Sequence, residues 1–351
     1  MNLFIAACLL LAAPPSGDDD GTVTIRAVGH VVLGVDWPPA LAMVPPDLGM
    51  TMADELAPVT SAADITLGSM AAPMTSSDHL AVAPDGVDIW ALRQPPSLLP
   101  ALAKLGFDVM LAANNHALDF GPEGHAETLA HLEALGIGAV GHSGEVWRTT
   151  VRGTRVAVLG FTQPYAPDFQ SNRDHDAAVA AVRAADVDAD IVIALVHGGG
   201  EGRDALHVPR GREYVGKEAR GKMVELCRAL VDAGADLVVG FGAHAPRAME
   251  IHHDRLIAYA LGNFITYGPF DIQSPNHLSL VLSVTLDRHG ELREAKIIPL
   301  RLRHPGVPHL DPEAWSVSWI RRYSRADFPE SAPQIDPDGV ITIPPRGAHA
   351  P

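Results

Sequence analysis

Residues 107–121 constrain this chain more than any other stretch. An apolar run over 107–111 has the length and composition of a buried strand. It gives way to Asn114, Asn115, His116 and Asp119: two carboxamides, an imidazole and a carboxylate within six residues. Pro122 then opens a helix whose apolar positions continue through Leu129, Leu132 and Leu135. A strand running through a polar turn into a helix is the repeating unit of an α/β fold, and open α/β sheets place ligands at that junction. The pair Asn115 and His116 suits metal-assisted chemistry, because an amide oxygen can ligate an ion while the neighbouring imidazole donates a proton.

The same alternation extends outward. Strand patterns are expected over 22–33, 64–67, 137–140 and 191–196, and a buried strand over 236–239. Helices are expected over 97–105, 174–185 and 213–233, the last with Met223, Leu226, Cys227 and Leu230 facing inward. Hairpins are expected where 149–151 meets 155–161 about Gly153, and where 248–252 meets 256–261. Residues 278–286 and 291–302 read as antiparallel strands. Early α/β alternation followed by hairpins predicts two sheets packed face to face with helices outside. From about residue 304 the chain becomes a proline-rich tail, with one helix near 315–323 and then a disordered or wrapping segment.

A chain of 351 residues with 47% hydrophobic content can bury a sizeable core. Its net charge of −16 lacks the basic footprint that nucleic acid requires and disfavours an anionic membrane surface. An anionic substrate would need a local cation. Residues 3–13 form an apolar run, too short to span a bilayer, before two prolines and three aspartates. They read as a signal-peptide core, so 1–21 is expected to be a signal peptide and acidic linker, with export to the periplasm or cell envelope and no other membrane span. Cys8 lies in that run. Cys227 is then the single cysteine of the mature chain, without a disulfide partner, and is expected to act as a small buried hydrophobe.

Four histidines stand at the ends of apolar strand patterns: His30, His116, His197 and His244. Strand ends of one sheet lie close together, so the four are expected to meet. The glycines at 198–200, 240 and 242 flank them and would permit close backbone approach.

Several of these stretches also carry a resemblance. Gly106 to Val109 running into Ala113-Asn114-Asn115-His116-Ala117-Leu118-Asp119-Phe120-Gly121 is one. Others are His197-x-Gly199-x-Glu201, Ala233 to Gly240, and Tyr259-Ala260-Leu261-Gly262-Asn263-Phe264. In order and spacing over about 22–303 they resemble the bacterial capsule-synthesis CapA (poly-γ-glutamate synthesis) family, which is related to the calcineurin-like metallophosphatases. The resemblance implies one metallophosphatase-like domain, a four-layer α/β/β/α sandwich. It also places Asn263 near the site.

Three positions depart from the family pattern. His30 stands where the resemblance implies an aspartate, Ala71 where it implies a glutamate, and Gly242 where it implies a histidine. Two close divalent ions need anionic ligands to offset their repulsion, and the aligned positions now supply none. The expectation is one ion, zinc, manganese or iron, held by His30, His197 and His244 with Asn115 as a weaker ligand. His116 would donate a proton. Asp36, Asp119 or Glu201 would supply compensating charge, and Arg247 reads as a surface arginine or a substrate-carboxylate partner. Three functions follow: a metal-dependent, phosphoesterase-like hydrolase or ligase-accessory enzyme of the envelope acting on a small molecule or an anionic polymer, an inactive relative that binds polymer or capsule-assembly proteins, or a metal-binding protein without chemistry that uses the histidine cluster alone.

Overall fold

Residues Val23–Val32 form β1, and nine of its ten residues are buried, as a continuous apolar strand requires when both of its faces are covered. The structure is a computed structural model and describes residues 21–81, 91–203 and 205–343. The expected signal segment and Cys8 lie outside the described residues.

After β1 come α1 (Met50–Thr60), β2 (Ile65–Met70), α2 (Leu99–Lys104), β3 (Val109–Leu111), α3 (Gly121–Ala134) and β4 (Gly138–Val140). A second group follows: β5 (Trp147–Val151), β6 (Thr154–Phe161), α4 (His175–Asp186), β7 (Ile191–His197), β8 (Glu213–Val215), β9 (Glu218–Gly221), α5 (Met223–Asp232), β10 (Leu237–Phe241), β11 (Met249–His252) and β12 (Arg255–Ala258). The chain ends with β13 (Asn263–Thr266), β14 (Leu278–Leu286), β15 (Leu292–Arg303), β16 (Val307–Leu310), α6 (Trp315–Asp327), β17 (Gln334–Ile335) and β18 (Val340–Thr342).

Two large sheets result. The first has the order β17-β18-β15-β14-β1-β2-β3-β4, with β13 also paired to β1 and β16 to β15. The second has the order β11-β12-β10-β7-β6-β5. Their facing sides interlock through Ile25, Leu67 and Val109 from one and Val158, Ile193 and Val239 from the other. Met52, Leu56, Leu102 and Leu132 cover the outer face of the first sheet, and Val182, Leu226, Cys227 and Leu230 that of the second. The architecture is therefore a four-layer α/β/β/α sandwich. Cys227 is buried and free, and burial pushes its thiol up.

One expectation is corrected. Residues 213–233 are not one helix: β8 and β9 make a hairpin first, and the helix starts only at Met223. Gly216 and Gly221 take φ of 57° and 99°, which turn the backbone out of the helical path. After α6 the described tail takes the wrapping course, one of the two expected: β17 pairs with β18, and β18 with β15. β16 and β18 add antiparallel pairs to β15, and Pro308 sits in β16 at its margin, where a missing N–H is tolerated.

β1 is irregular at one place. Its pairing shifts between Ala27 and His30 against β2, and between His30 and Val31 against β13. Gly29 lies inside this bulge with its α-carbon against the carbonyl of Gly262, and the His30 N–H donates to that carbonyl at 3.0 Å. A methyl group at Gly29 would overlap rigid backbone. Gly29→Ala is expected to lower stability by about 1–3 kcal/mol, read as a lower urea midpoint; an unchanged midpoint would show that the bulge has room.

A second expectation concerns α3. His125 packs against the His142 and Phe169 rings, with its Nε2 3.2 Å from His142 Nε2. Burial, and then the neighbouring His142, pull its pKa down to about 4. The folded value lies below the unfolded one, so this group's contribution is complete above about pH 6.5 and is lost as pH falls toward 4. Relative to His125→Asn, the wild-type chain should lose up to about 3 kcal/mol over that interval. Parallel stability curves for the two proteins would refute this.

Candidate functional site

The β1 bulge swings His30 out of the first sheet toward the end of β10 in the second. There its Nε2 accepts the Gly242 N–H at 3.0 Å, across 212 residues of sequence. β7 ends in His197 and β10 ends one residue before Gly242, so two parallel neighbours deliver the remaining groups. Gly242 has φ of 113° and a Cβ there would meet the Gly198 backbone, so only glycine fits this crossing. His244, at φ 58°, follows it. The His30 ring centroid lies 4.9 Å from that of His244 and 5.7 Å from that of His197. The histidines thus come from strand ends of two sheets, not of one.

The loop after β3 supplies the fourth. Asn114 is buried and donates to the Met70 carbonyl at 2.6 Å, while its Oδ1 accepts the His116 N–H at 2.8 Å. His116 Nδ1 lies 2.8 Å from Asp119 Oδ2, which also accepts the Leu92 N–H at 2.7 Å. The carboxylate is therefore held by backbone and in turn holds the imidazole. Asn115 is half-buried in the same turn.

Three of the four rings share one orientation device. His116 Nδ1 faces Asp119, His244 Nδ1 faces Asn263 Oδ1 at 3.0 Å, and His197 Nδ1 faces Gln163 Oε1 at 3.4 Å. An oxygen acceptor at Nδ1 fixes the proton there and leaves the Nε2 lone pair free. His30 is the opposite case. Its Nε2 accepts from backbone, so its proton sits on Nδ1, which is buried without a partner. Both His30 and His197 are buried, and burial holds each well below the ordinary histidine range. His244, His116 and Arg220 add to this for His30; Arg220 and the other three histidines add to it for His197. Both are neutral at pH 7.

The donor set does not fit two ions. Ala71 and Gly242 offer no side-chain ligand and no carboxylate replaces them. Among the described residues, no trio of His, Cys, Asp or Glu here brings ligand atoms within 4.8 Å of one another. The chemistry fits one ion better: His197 and His244 present free Nε2 atoms with Nδ1 anchored, the arrangement usual for ligating histidines. In this geometry His30 joins them only by releasing Gly242.

The expected charge partners are committed elsewhere, with one exception. Asp36 pairs with Arg93 at 2.8 Å and Glu201 with Arg220; Asp119 alone serves the cluster. Arg247 is no surface arginine: it is 1% exposed and bonded to buried Glu213 at 2.7 Å. Sequence reading missed Arg220 and Gln163. Arg220 is 1% exposed, donates to Tyr165 Oη at 2.7 Å, and its carbonyl accepts from Gln163 Nε2 at 2.9 Å. Gln163 had a signal, a polar residue between the β6 strand pattern and Pro164; Arg220 had none, because it was read as part of a helix.

Paired sheets with helices outside and polar side chains gathered at strand ends define an α/β/β/α sandwich with its candidate site at the strand ends. The chain belongs to the family described as bacterial capsule synthesis protein PGA_cap, which matches residues 24–267. It is 27% identical over 217 residues to the PGA biosynthesis protein CapA of Bacillus subtilis, covering 59% of this chain and 54% of that one. It is 28% identical over 184 residues to the capsule biosynthesis protein CapA of Bacillus anthracis, covering 47% and 41%. A probable polyglutamine synthesis accessory protein of Mycobacterium tuberculosis is 29% identical over 253 residues, covering 66% of each. The chain thus spans about half the length of the two Bacillus proteins. Among solved structures, the 5′-nucleotidase precursor of Thermus thermophilus aligns with a TM-score of 0.47 and 16% identity, over 87% of this chain and 59% of its own.

Asp119→Ala should strand the Leu92 N–H and release the His116 ring. The expected fall in stability is about 1–3 kcal/mol, measured by urea unfolding. A wild-type midpoint would mean that the carboxylate anchors neither group.

Proposed function

We propose that this chain is an exported accessory protein of capsule or poly-γ-glutamate synthesis, and that it hydrolyses a phosphoester, or an amide of an anionic polymer, with one divalent ion of zinc, manganese or iron. Family membership supports the biological setting. The observation that carries the chemistry is the shared anchoring of His116, His197 and His244, each fixed at Nδ1 by an oxygen acceptor with Nε2 left free.

In this reading His197 and His244 hold the ion through Nε2, with Asn115 and His30 as the further ligands. A bound ion of this kind supplies Lewis-acid polarisation of a phosphoryl or carbonyl oxygen. His116, positioned by Asp119, takes up a proton at Nε2 and delivers it to the leaving oxygen or nitrogen. Asn263 keeps the His244 ring turned to the site. The described residues contain no helix long and apolar enough to cross a membrane. Partners of this function would be an anionic polymer or small-molecule substrate and other capsule-assembly proteins.

A second reading has its own support. His30 Nε2 is occupied by the Gly242 N–H and the aligned carboxylates are gone, which favours a catalytically inactive protein that binds polymer or partner subunits. Elemental analysis separates the two. Under the first reading His197→Ala and His244→Ala each lose one equivalent of divalent metal relative to wild type. His116→Ala keeps the metal and loses turnover by roughly 10²–10⁴-fold. Unchanged metal content in both ligand variants, or no turnover of phosphoesters or γ-glutamyl amides with manganese, zinc or iron(II) supplied, rejects the hydrolase and leaves the binding protein.

A further inference from the structure

We propose that Asp232, His252 and His253 form a separate site for one divalent transition-metal ion of the zinc class. It lies at the opposite end of the second sheet from the histidine cluster. His197 and Phe241 close the carboxyl ends of β7 and β10. Asp232 ends α5, and His252 and His253 sit where β11 turns into β12, beside the amino end of β10.

Three ligand atoms converge there. His252 Nε2 lies 2.8 Å and His253 Nδ1 3.5 Å from the same oxygen, Asp232 Oδ1. One nitrogen or oxygen from each residue falls within 4.8 Å of the other two, and among the described residues this is the one such trio. The turn explains how neighbours in sequence can share an ion. Successive side chains of an extended strand point to opposite faces, but His253 and Asp254 both take positive φ, 49° and 64°. This left-handed two-residue turn lays the His253 ring over the His252 ring, with centroids 4.3 Å apart and planes 14° from parallel. Histidine and aspartate are among the non-glycine residues that adopt positive φ most readily, so the two-residue turn is compatible with this sequence.

The donor set selects the ion. Two imidazoles and one carboxylate favour zinc or its neighbours over magnesium or calcium, which prefer all-oxygen shells. A recess of about 310 Å³ adjoins His253; of its carboxylates, Asp236 is paired with Arg255, which also lines it, and Asp190 with Arg155, so the ligand trio itself carries the site. A bound ion would clip the β11–β12 hairpin to the end of α5.

The test uses the full chain and zinc chloride, with calorimetric titration and thermal unfolding at pH 7.5. His253→Asn removes the ligand while keeping a residue that tolerates the turn; His252→Ala removes the other. Both should weaken this binding by roughly tenfold or more, lose one zinc equivalent and reduce the zinc-induced rise in unfolding midpoint. His197→Ala, which loses the ion proposed for the central cluster, should keep one zinc equivalent, and adding His253→Asn to it should remove that equivalent. Zinc titrations of His253→Asn and His252→Ala that match wild type would overturn the site. So would magnesium binding more tightly than zinc, or loss of all zinc binding in His197→Ala.

Discussion

The hydrogen bond from the Gly242 backbone to His30 Nε2 is the contact on which the site depends. Two sheets can pack through apolar faces in many registers, because burial is not directional. A hydrogen bond is directional, and this one ties the bulge in β1 to the end of β10 across the sandwich. Gly29 gives the bulge its close approach to Gly262, and Gly242 gives the opposing turn its close approach to Gly198. With those two glycines in place, His244 is delivered beside His30, and Asn263, which pairs with His30 in the β-ladder, reaches the His244 ring.

Charge is handled differently inside and outside. The chain carries a net −16, yet at the central cluster burial keeps His30 and His197 neutral. The charged groups nearest to it are matched before they reach it: Arg220 by Glu201, Arg247 by Glu213, Asp119 by His116 and the Leu92 N–H. Each pair is buried or partly buried, so breaking one leaves an uncompensated charge in a poorly solvated place, which is more damaging than the pair is stabilising. These pairs also fix loops. Glu213 holds Arg247 and the Gly200 N–H together, so the β8–β9 hairpin is pinned against the turn after β7.

Much of this was legible in the sequence, and the rest was not for definite reasons. The β3–loop–α3 unit was readable because an apolar run, a polar turn and Pro122 fall in one local window. The hairpin about Gly153 and the α/β/β/α layering followed from similar local patterns. The 213–233 segment was misread because its apolar spacing suits a helix, and the left-handed Gly216 and Gly221 overrode it. Arg247 looked superficial because nothing local marks its burial against Glu213, 34 residues away. Arg220 and Gln163 join the site through non-local pairing, which no window of sequence contains. His30 was placed at a strand end, but its orientation comes from a bulge set by Gly262.

The topology also fixes an order of assembly. All six strands of the second sheet lie within residues 147–258, whereas the first sheet is split between residues 23–140 and 263–342. One sheet is therefore an insertion in the other. On a growing chain the inserted sheet has every strand available while β1 still lacks its β14 neighbour, whose register joins Val23 to Leu286. Domains emerge amino end first, and so distant a closure carries a large loop entropy. β1 gains β13 and β14 as neighbours only from chain that follows the inserted sheet. The site is the seam between a sheet continuous in sequence and a sheet split around it.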